Sequence, residues 1–284
     1  MSFDVASIRR SKPGEFTPPS FPLSSDDAYR PTGGLFTADF PLDVYIEFAY
    51  KIQLTREQRN VVFAHLPKWA TEDNFEIHAR APASLAKEPT KDQMRLMMQS
   101  LLTERFGLAL HFETQQGSVL ALTLIKPGKT GPKLRPHSEG PPCAPSAPPS
   151  GAIPPSKSGD VYPPICDAYM ANSQPNHAIL LGSRNTTMDL IAVSLTTIED
   201  LGRPVVDRTG LTGKFDFTLE WTPEADRPSS LPSAAGSPGS AALPDTRGTS
   251  FQEALKEQLG LKLESARAPL QVPVIDHIEA PSEN

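Results

Sequence analysis

The sharpest pattern of apolar and polar positions in the chain covers residues 205–221. It begins apolar, turns through Gly210 and Gly213, and then alternates strictly, with Phe215, Phe217, Leu219 and Trp221 on one face and Asp216, Thr218 and Glu220 on the other. Period-2 alternation predicts a half-buried strand entered through a tight turn. Upstream, residues 178–182 carry a short strand signal, and Thr186-x-x-Asp189 predicts the cap of a helix whose stripe is Met188, Ile191, Leu195 and Ile198. Downstream, Ser250-x-x-Glu253 is a second capping box, ahead of Phe251, Ala254, Leu255, Gln258 and Leu259 at helical spacing. Gly260 stops that helix, and residues 261–264 and 270–278 read as closing strands.

The first half repeats this series. Residues 3–8 alternate like a strand that must join a sheet made elsewhere, since a lone strand is not stable. Residues 33–38 form a second strand, after which Pro41 opens a helix with Leu42, Tyr45, Ile46, Ala49 and Ile52 on one side. Residues 74–80 alternate again, with Phe75, Ile77 and Ala79 inward and Glu76, His78 and Arg80 outward. Thr90-x-x-Gln93 caps a helix striped by Met94, Met97, Met98, Leu101, Leu102 and Phe106, and Gly107 ends it. A methionine stripe can line a flexible groove, but core filling is the ordinary use. Residues 108–113 and 119–125 then predict two strands joined across Gly117.

Strand, helix, alternating strand, capped helix ending in glycine, strand, turn, strand: the order is the same in both halves. Residues 105–110 and 258–263 form the closest matched pair. The expectation is an α+β fold of two pseudo-repeated units, each a mixed or antiparallel sheet with helices on one face, with long proline-rich loops outside. Residues 1–126 and 176–284 are the expected halves. Between them, residues 127–175 form an excursion rich in proline, and residues 223–249 form a low-complexity insert in the second half.

Composition narrows the functional classes. A net charge of −6 with no cluster of Lys and Arg argues against nucleic acid as a partner. No apolar run approaches the roughly 20 residues of a transmembrane helix, and residues 1–4 do not open a secretion signal. Cys143 and Cys166 flank a proline-rich loop of about twenty residues, whose closure would contribute about 3 kcal/mol in the chain-entropy model. A disulfide, and with it an oxidising compartment, is the expectation; two free thiols are the alternative.

Residues 2–8, the run Leu66-Pro67-Lys68-Trp69 leading to Phe75-Glu76-Ile77, residues 94–106, 205–221 and 251–263, and the ending from Val274 together resemble the uncharacterised soil-associated protein family, a domain of unknown function abundant in acidobacteria. The resemblance covers nearly the whole chain outside the proline-rich stretches. It implies an extracytoplasmic protein, periplasmic or secreted, because family members carry a secretion signal and related domains are fused to membrane metallopeptidase sensors; here the signal is missing. A weaker likeness, carried by residues 210–215 and 254–261, is to the short N-terminal domain of secretins and outer-membrane transporters. It implies a docking module by fold analogy alone.

Chemistry is harder to find. Asp207, Asp276 and His277 supply the minimum of a carboxylate and a histidine for acid/base work, and Arg208, Asp216 and Glu220 are candidate ligand-binding residues beside them. The plainer reading ties Asp207 into the turn before Gly210 and leaves Asp216 and Glu220 solvated on the polar face of their strand. Glu76 with His78, and His111 with Glu113, share strand faces and raise the question of a metal, but no HExxH or Cys/His spacing supports one. GxSxG, GxGxxG and Walker loops are absent, so neither a serine nucleophile nor a nucleotide cofactor is expected. The sequence therefore points to an extracytoplasmic binding or sensing module for a small molecule, peptide or envelope protein. A hydrolase with a cleft between the halves is the alternative, and a purely structural envelope protein a third reading.

Overall fold

A computed structural model describes the chain except residues 13, 86, 145–162, 199–200, 224–247 and 282–284 and the side chain of Ile198. Most of the low-complexity insert, the middle of the proline-rich excursion and the last three residues of the family-like ending therefore lie outside the described residues.

The first half is built on three antiparallel strands, β1 (Val5–Arg10), β2 (Leu35–Phe40) and β3 (Phe75–Arg80), in the order β1-β3-β2. The N-terminal strand thus finds its sheet beside β3, with Ile8 opposite Ile77. Phe75, Ile77 and Ala79 are buried, as the alternation requires. They meet helices α1 (Leu42–Ala49) and α4 (Lys91–Phe106) in one apolar core. The α4 stripe of Met94, Met97, Met98, Leu101, Leu102 and Phe106 is core throughout. Thr90 and Gln93 form the expected capping box, and Gly107 ends the helix at φ 58°, a left-handed conformation that favours glycine.

Two short helices, α2 (Arg56–Val62) and α3 (Lys68–Glu72), stand where no helix is expected. The signal for α2 was present, since Thr55 and Gln58 make the same capping box as Thr90 and Gln93. It lacks an apolar stripe, and none of its residues is buried. Charge helps to hold it: Arg59 bonds Glu47 at 2.9 Å and Asp43 at 2.7 Å, both on α1. The other oxygen of Glu47 is enclosed without a partner among the described residues. Burial therefore pushes its carboxyl up to about 7, although Arg59 pulls the other way.

The second half has four antiparallel strands, β5 (Leu134–Pro136), β6 (Tyr169–Ser173), β7 (Ile179–Thr186) and β9 (Phe215–Trp221), in the order β5-β9-β7-β6. Its run β5-β9-β7 has the same arrangement as β1-β3-β2, with the alternating strand central and the strand before the helix on one side. Helix α5 (Met188–Ile198) and helix α6 (Phe251–Ala254), which continues as a π-helical turn over Leu255–Leu259, pack with Phe215, Phe217, Leu219 and Trp221 in a second core. Ser250 and Glu253 form the capping box, and Gly260 at φ 69° ends the turn as Gly107 ends α4.

Three local expectations change. Strands β5 and β6 come from the stretch read as an excursion, because β9 and β7 each offer it an unpaired edge. Thr186 closes β7 and bonds the Arg184 carbonyl at 3.1 Å, so Thr187 caps α5 instead, its hydroxyl accepting from the Leu190 amide at 3.4 Å. The two predicted hairpins do not form. Each pair of short strands is one long strand, β4 (Ala109–Leu124) and β10 (Leu261–His277), and these two pair with each other in antiparallel register from Leu261↔Leu124 to His277↔Ala109. At Gly117, placed opposite Ala268, the strand runs straight through, and the Leu270 side chain occupies the space a Cβ would need. Each strand leaves its own core and ends in the other: Leu110 and Ile275 pack on the first, Leu122 and Leu261 lie in the second. A short parallel strand, β8 (Val205–Asp207), lies along the far edge of β4 at Leu120–Leu122.

Cys143 and Cys166 form a disulfide, with Cα atoms 5.3 Å apart across 23 residues of sequence. The Cys166 amide also donates to the Ala144 carbonyl at 2.7 Å. Replacing both cysteines by serine is expected to lower the unfolding free energy by about 3 kcal/mol, measured by urea titration. Glu47 gives a pH signature. Its raised pKa means the folded state holds a proton that the unfolded chain releases near 4.5, so stability falls as pH rises from about 4.5 to about 7 and is flat above. Glu47→Gln is expected to match the parent at pH 4 and to be more stable by about 3 kcal/mol at pH 8.

Candidate functional site

Lys91 and Arg95 occupy one face of α4 a turn apart, and both are buried. A lysine in the first turn of a helix opposes the helix dipole and needs an anion nearby. The loop over the helix supplies it. Lys91 Nζ bonds Asp26 at 2.9 Å and the Ser24 hydroxyl at 3.0 Å. Arg95 donates to the Asp26 carbonyl at 2.6 Å and to the Ser24 carbonyl at 3.2 Å, and its guanidinium lies 5.7 Å from the Phe48 ring centre. Burial lowers the pKa of Lys91, outweighing the opposite pull of Asp26. Asp26 faces the second half as well, accepting from the Tyr169 amide of β6 at 3.3 Å.

Beside this ion pair, at the seam between the two cores, lies a cavity of about 230 Å³. Asp26 and Gln53 line it from the first half, Tyr169, Leu181, Leu190 and Ser194 from the second. Two polar atoms there are enclosed: the side-chain oxygen of Gln53, which has no hydrogen-bond partner among the described residues, and the Tyr169 hydroxyl, which interacts with the Ser183 and Ser194 hydroxyls. Burial raises the Tyr169 pKa well above the usual tyrosine range, so the phenol stays protonated and able to donate. The Ser194 hydroxyl donates to the Ile191 carbonyl at 2.8 Å. Among the described residues no histidine or cysteine lines the cavity, and Asp26 is held by Lys91. This wall can hold a ligand by hydrogen bonds and apolar contact.

The residues singled out from the sequence lie elsewhere. Asp207, on β8, accepts from the Thr209 amide at 2.8 Å, the turn role that the plainer reading gave it. The Arg208 amide donates to Leu122 at 2.9 Å and extends the pairing of β8 with β4. Asp276 bonds His111 at 2.7 Å and His277 bonds Glu279 at 2.8 Å, all on exposed surface. Asp207 flanks β4 at Leu122, while His277 pairs with Ala109 at the other end of the same strand. At about 3.3 Å per residue the separation is about 40 Å, so the three proposed catalytic residues are not brought together.

Asp216 corrects the expectation of a solvated strand face. It is 3% exposed, bonded to His137 at 2.6 Å, to Arg184 at 3.3 Å and to the Asn185 amide at 3.0 Å. The loop of residues 137–142 folds over that face, and Arg184 donates onward to the carbonyls of Pro141 and Pro142 beside the disulfide. Glu220 shares its strand; its backbone amide and carbonyl both bond the Gln258 side chain. Glu76 stands at the matching position of β3, second in the central strand, and is also buried, bonded to Arg9 and Thr17 and 3.1 Å from His78. The Arg9 and Thr17 hydrogen bonds hold its carboxyl at about 2. His111 and Glu113 sit on β4, 3.5 Å apart, with partners separate from those of Glu76 and His78. Among the described residues no group of three or more His, Cys, Asp or Glu side chains is arranged to hold a metal, and no helix is long and apolar enough to cross a membrane.

Asp26, Lys91, Arg95 and Gln53 were missed. A buried lysine at the start of an amphipathic helix, four residues before an arginine on its apolar flank, was the available clue. Lys91→Ala is expected to cost about 3–5 kcal/mol of unfolding free energy by leaving Asp26 enclosed without its cation, and the double change Lys91→Met with Asp26→Leu to recover most of it, measured by chemical denaturation.

The comparisons with known proteins give one match. No curated protein and no solved structure matches the chain. The model of the family described as "Protein of unknown function (DUF3738)" matches residues 43–278, which span both cores and the long strands between them. The chain belongs to that DUF3738 family.

Proposed function

We propose that this protein is an extracytoplasmic binding module in which residues 1–126, residues 176–284 and strand β6 from the stretch between them enclose a small molecule in the cavity at the seam. The observation that carries this reading is the enclosed side-chain oxygen of Gln53, unpartnered among the described residues, in a wall that mixes polar groups, the Tyr169 hydroxyl among them, with Met170, Leu181 and Leu190. A buried acceptor left unmade costs about 1–3 kcal/mol, and a ligand that bonds it recovers that. Size supports the reading too. A cavity of about 150 Å³ suffices for benzene, so 230 Å³ accommodates a somewhat larger compact molecule.

The chemistry of the wall selects the ligand class. The Lys91–Asp26 pair leaves no net charge at the site, so a neutral molecule fits better than an ion. It needs an N–H or O–H for Gln53, an acceptor for Tyr169, and an apolar flank against Leu181 and Leu190. Small amides, ureas and alcohols meet those terms. The disulfide in a proline-rich loop supports a periplasmic or secreted location, where such a bond persists.

The test is a thermal-shift and calorimetric screen of neutral amides, ureas and alcohols against the parent protein and two variants, Gln53→Leu and Ala171→Phe. Ala171 lines the cavity, and phenylalanine there fills it. A ligand at about 100 times its Kd stabilises the parent by about 2.7 kcal/mol. That gain is expected to shrink in Gln53→Leu and to vanish in Ala171→Phe. Compounds that bind the filled variant as well as the parent, or a screen with no binder, would sink the reading.

A further inference from the structure

The two long strands protect their outer edges differently. Along β4 the even-numbered residues turn their backbone groups away from β10: the Leu120 amide donates to Pro204, and the Leu122 carbonyl accepts from Arg208. The register with β10 is unbroken from Leu124 down to Leu110, so the same parity holds for Leu110, Phe112, Thr114 and Gln116. Opposite Phe112 and Gln116 stand Pro273 and Pro269. Proline has no N–H to give, so β10 presents a blunted edge at alternate positions. β4 has no proline, and β8 covers it only at Leu120–Leu122. Among the described residues no backbone group pairs with the outward amides of residues 110–116, and residues 111–116 are all exposed, including Phe112. The Gln116 carbonyl receives one long contact, 3.5 Å from the Arg267 guanidinium.

We infer that this edge of β4 is a self-association surface, at which a second copy of the chain adds its own β4 antiparallel about a two-fold axis through Phe112. Parity limits the register. Only even-numbered residues have outward backbone groups, so even residues pair with even ones, and an axis through Phe112 pairs Phe112 with Phe112 of the second copy and Leu110 with Thr114 on either side. In that register His111 of each copy, already bonded to its own Asp276, lies opposite Glu113 of the other, so an imidazole meets a carboxylate twice on one face while the exposed phenylalanines meet on the other. Shifting the axis to Thr114 sets His111 opposite Gly117 and Glu113 opposite Gln115, and the charge match is lost. The imidazole–carboxylate match in one register favours a second copy over an unrelated strand. The product is a sheet in the order β10-β4-β4-β10, with β8 of each copy flanking the new pairing. This inference is independent of the cavity.

Sedimentation velocity and light scattering of the full chain, up to about 1 mM, test it against three variants. Thr114→Pro removes an outward amide and leaves the ladder to β10 intact, as Pro269 and Pro273 do in the native chain. It is expected to turn a concentration-dependent dimer into a monomer with an unchanged unfolding midpoint. Glu113→Lys sets a cation against His111 of the second copy and is expected to weaken the dimer at least tenfold, which keeps the test open if the proline variant does not fold. Phe112→Cys is expected to cross-link two copies under oxidation, since Cα atoms at such a pair lie about 5.5 Å apart; Gln116→Cys, which meets residue 108 in this register, is expected not to. A parent that stays monomeric throughout, or a dimer indifferent to both Thr114→Pro and Glu113→Lys, overturns the inference.

Discussion

The antiparallel ladder between β4 and β10 is the constraint on which the rest of the molecule hangs. Its two strands begin after matching left-handed glycines, Gly107 and Gly260, each at the end of a capped helix in its own core. Each then crosses to the other core, where Leu122 and Ile275 are held by side chains that belong to the opposite half. A two-stranded ribbon is marginal by itself. Here its ends are buried in two separate cores, and a slip of one residue would turn the inward leucines at both ends outward together. The seam where the cavity lies exists because this ladder sets the two cores side by side.

Buried charge is the second recurring device. Asp26 with Lys91, Asp216 with Arg184 and Glu76 with Arg9 place carboxylates under loops or straps that are poor in apolar residues. Such pairs contribute little net stability, because removing two ions from water costs about what their attraction returns. Their effect is on position: a loop closed over a carboxylate must bring its cations and amides to fixed points. Asp26 draws Lys91, the Ser24 hydroxyl and the Tyr169 amide to one carboxylate, and so settles how the acidic loop of the first half meets β6 of the second.

Local rules were readable wherever one segment's own periodicity decided its structure. The α4 stripe, the Thr90 and Ser250 capping boxes, the two glycine stops and the alternation of β3 and β9 all stand where their spacing placed them. The misreadings share a cause. Helix α2 has a cap but no apolar stripe, so periodicity passed over it while Arg59 holds it to α1. Gly117 looked like a turn because glycine often is one; whether the chain bends there depended on a partner strand about 150 residues away. Asp216 read as solvated because it falls on the polar phase of its strand, and nothing local tells that residues 137–142 fold over it.

Of the candidate site, the sequence supplied the parts without their meeting place. By itself it determined the α+β class, the matching order of elements in the two halves and the segments that could reach a core, because propensity, capping and hydrophobic period act over a few neighbouring residues. Only the tertiary structure decided that Asp207 and His277 stand at opposite ends of a ribbon, and that Asp26, Gln53 and Tyr169 share a cavity. Those placements follow from which strand edges and buried charges find each other across the fold, and long-range pairing of that kind leaves no periodic trace in the order of residues.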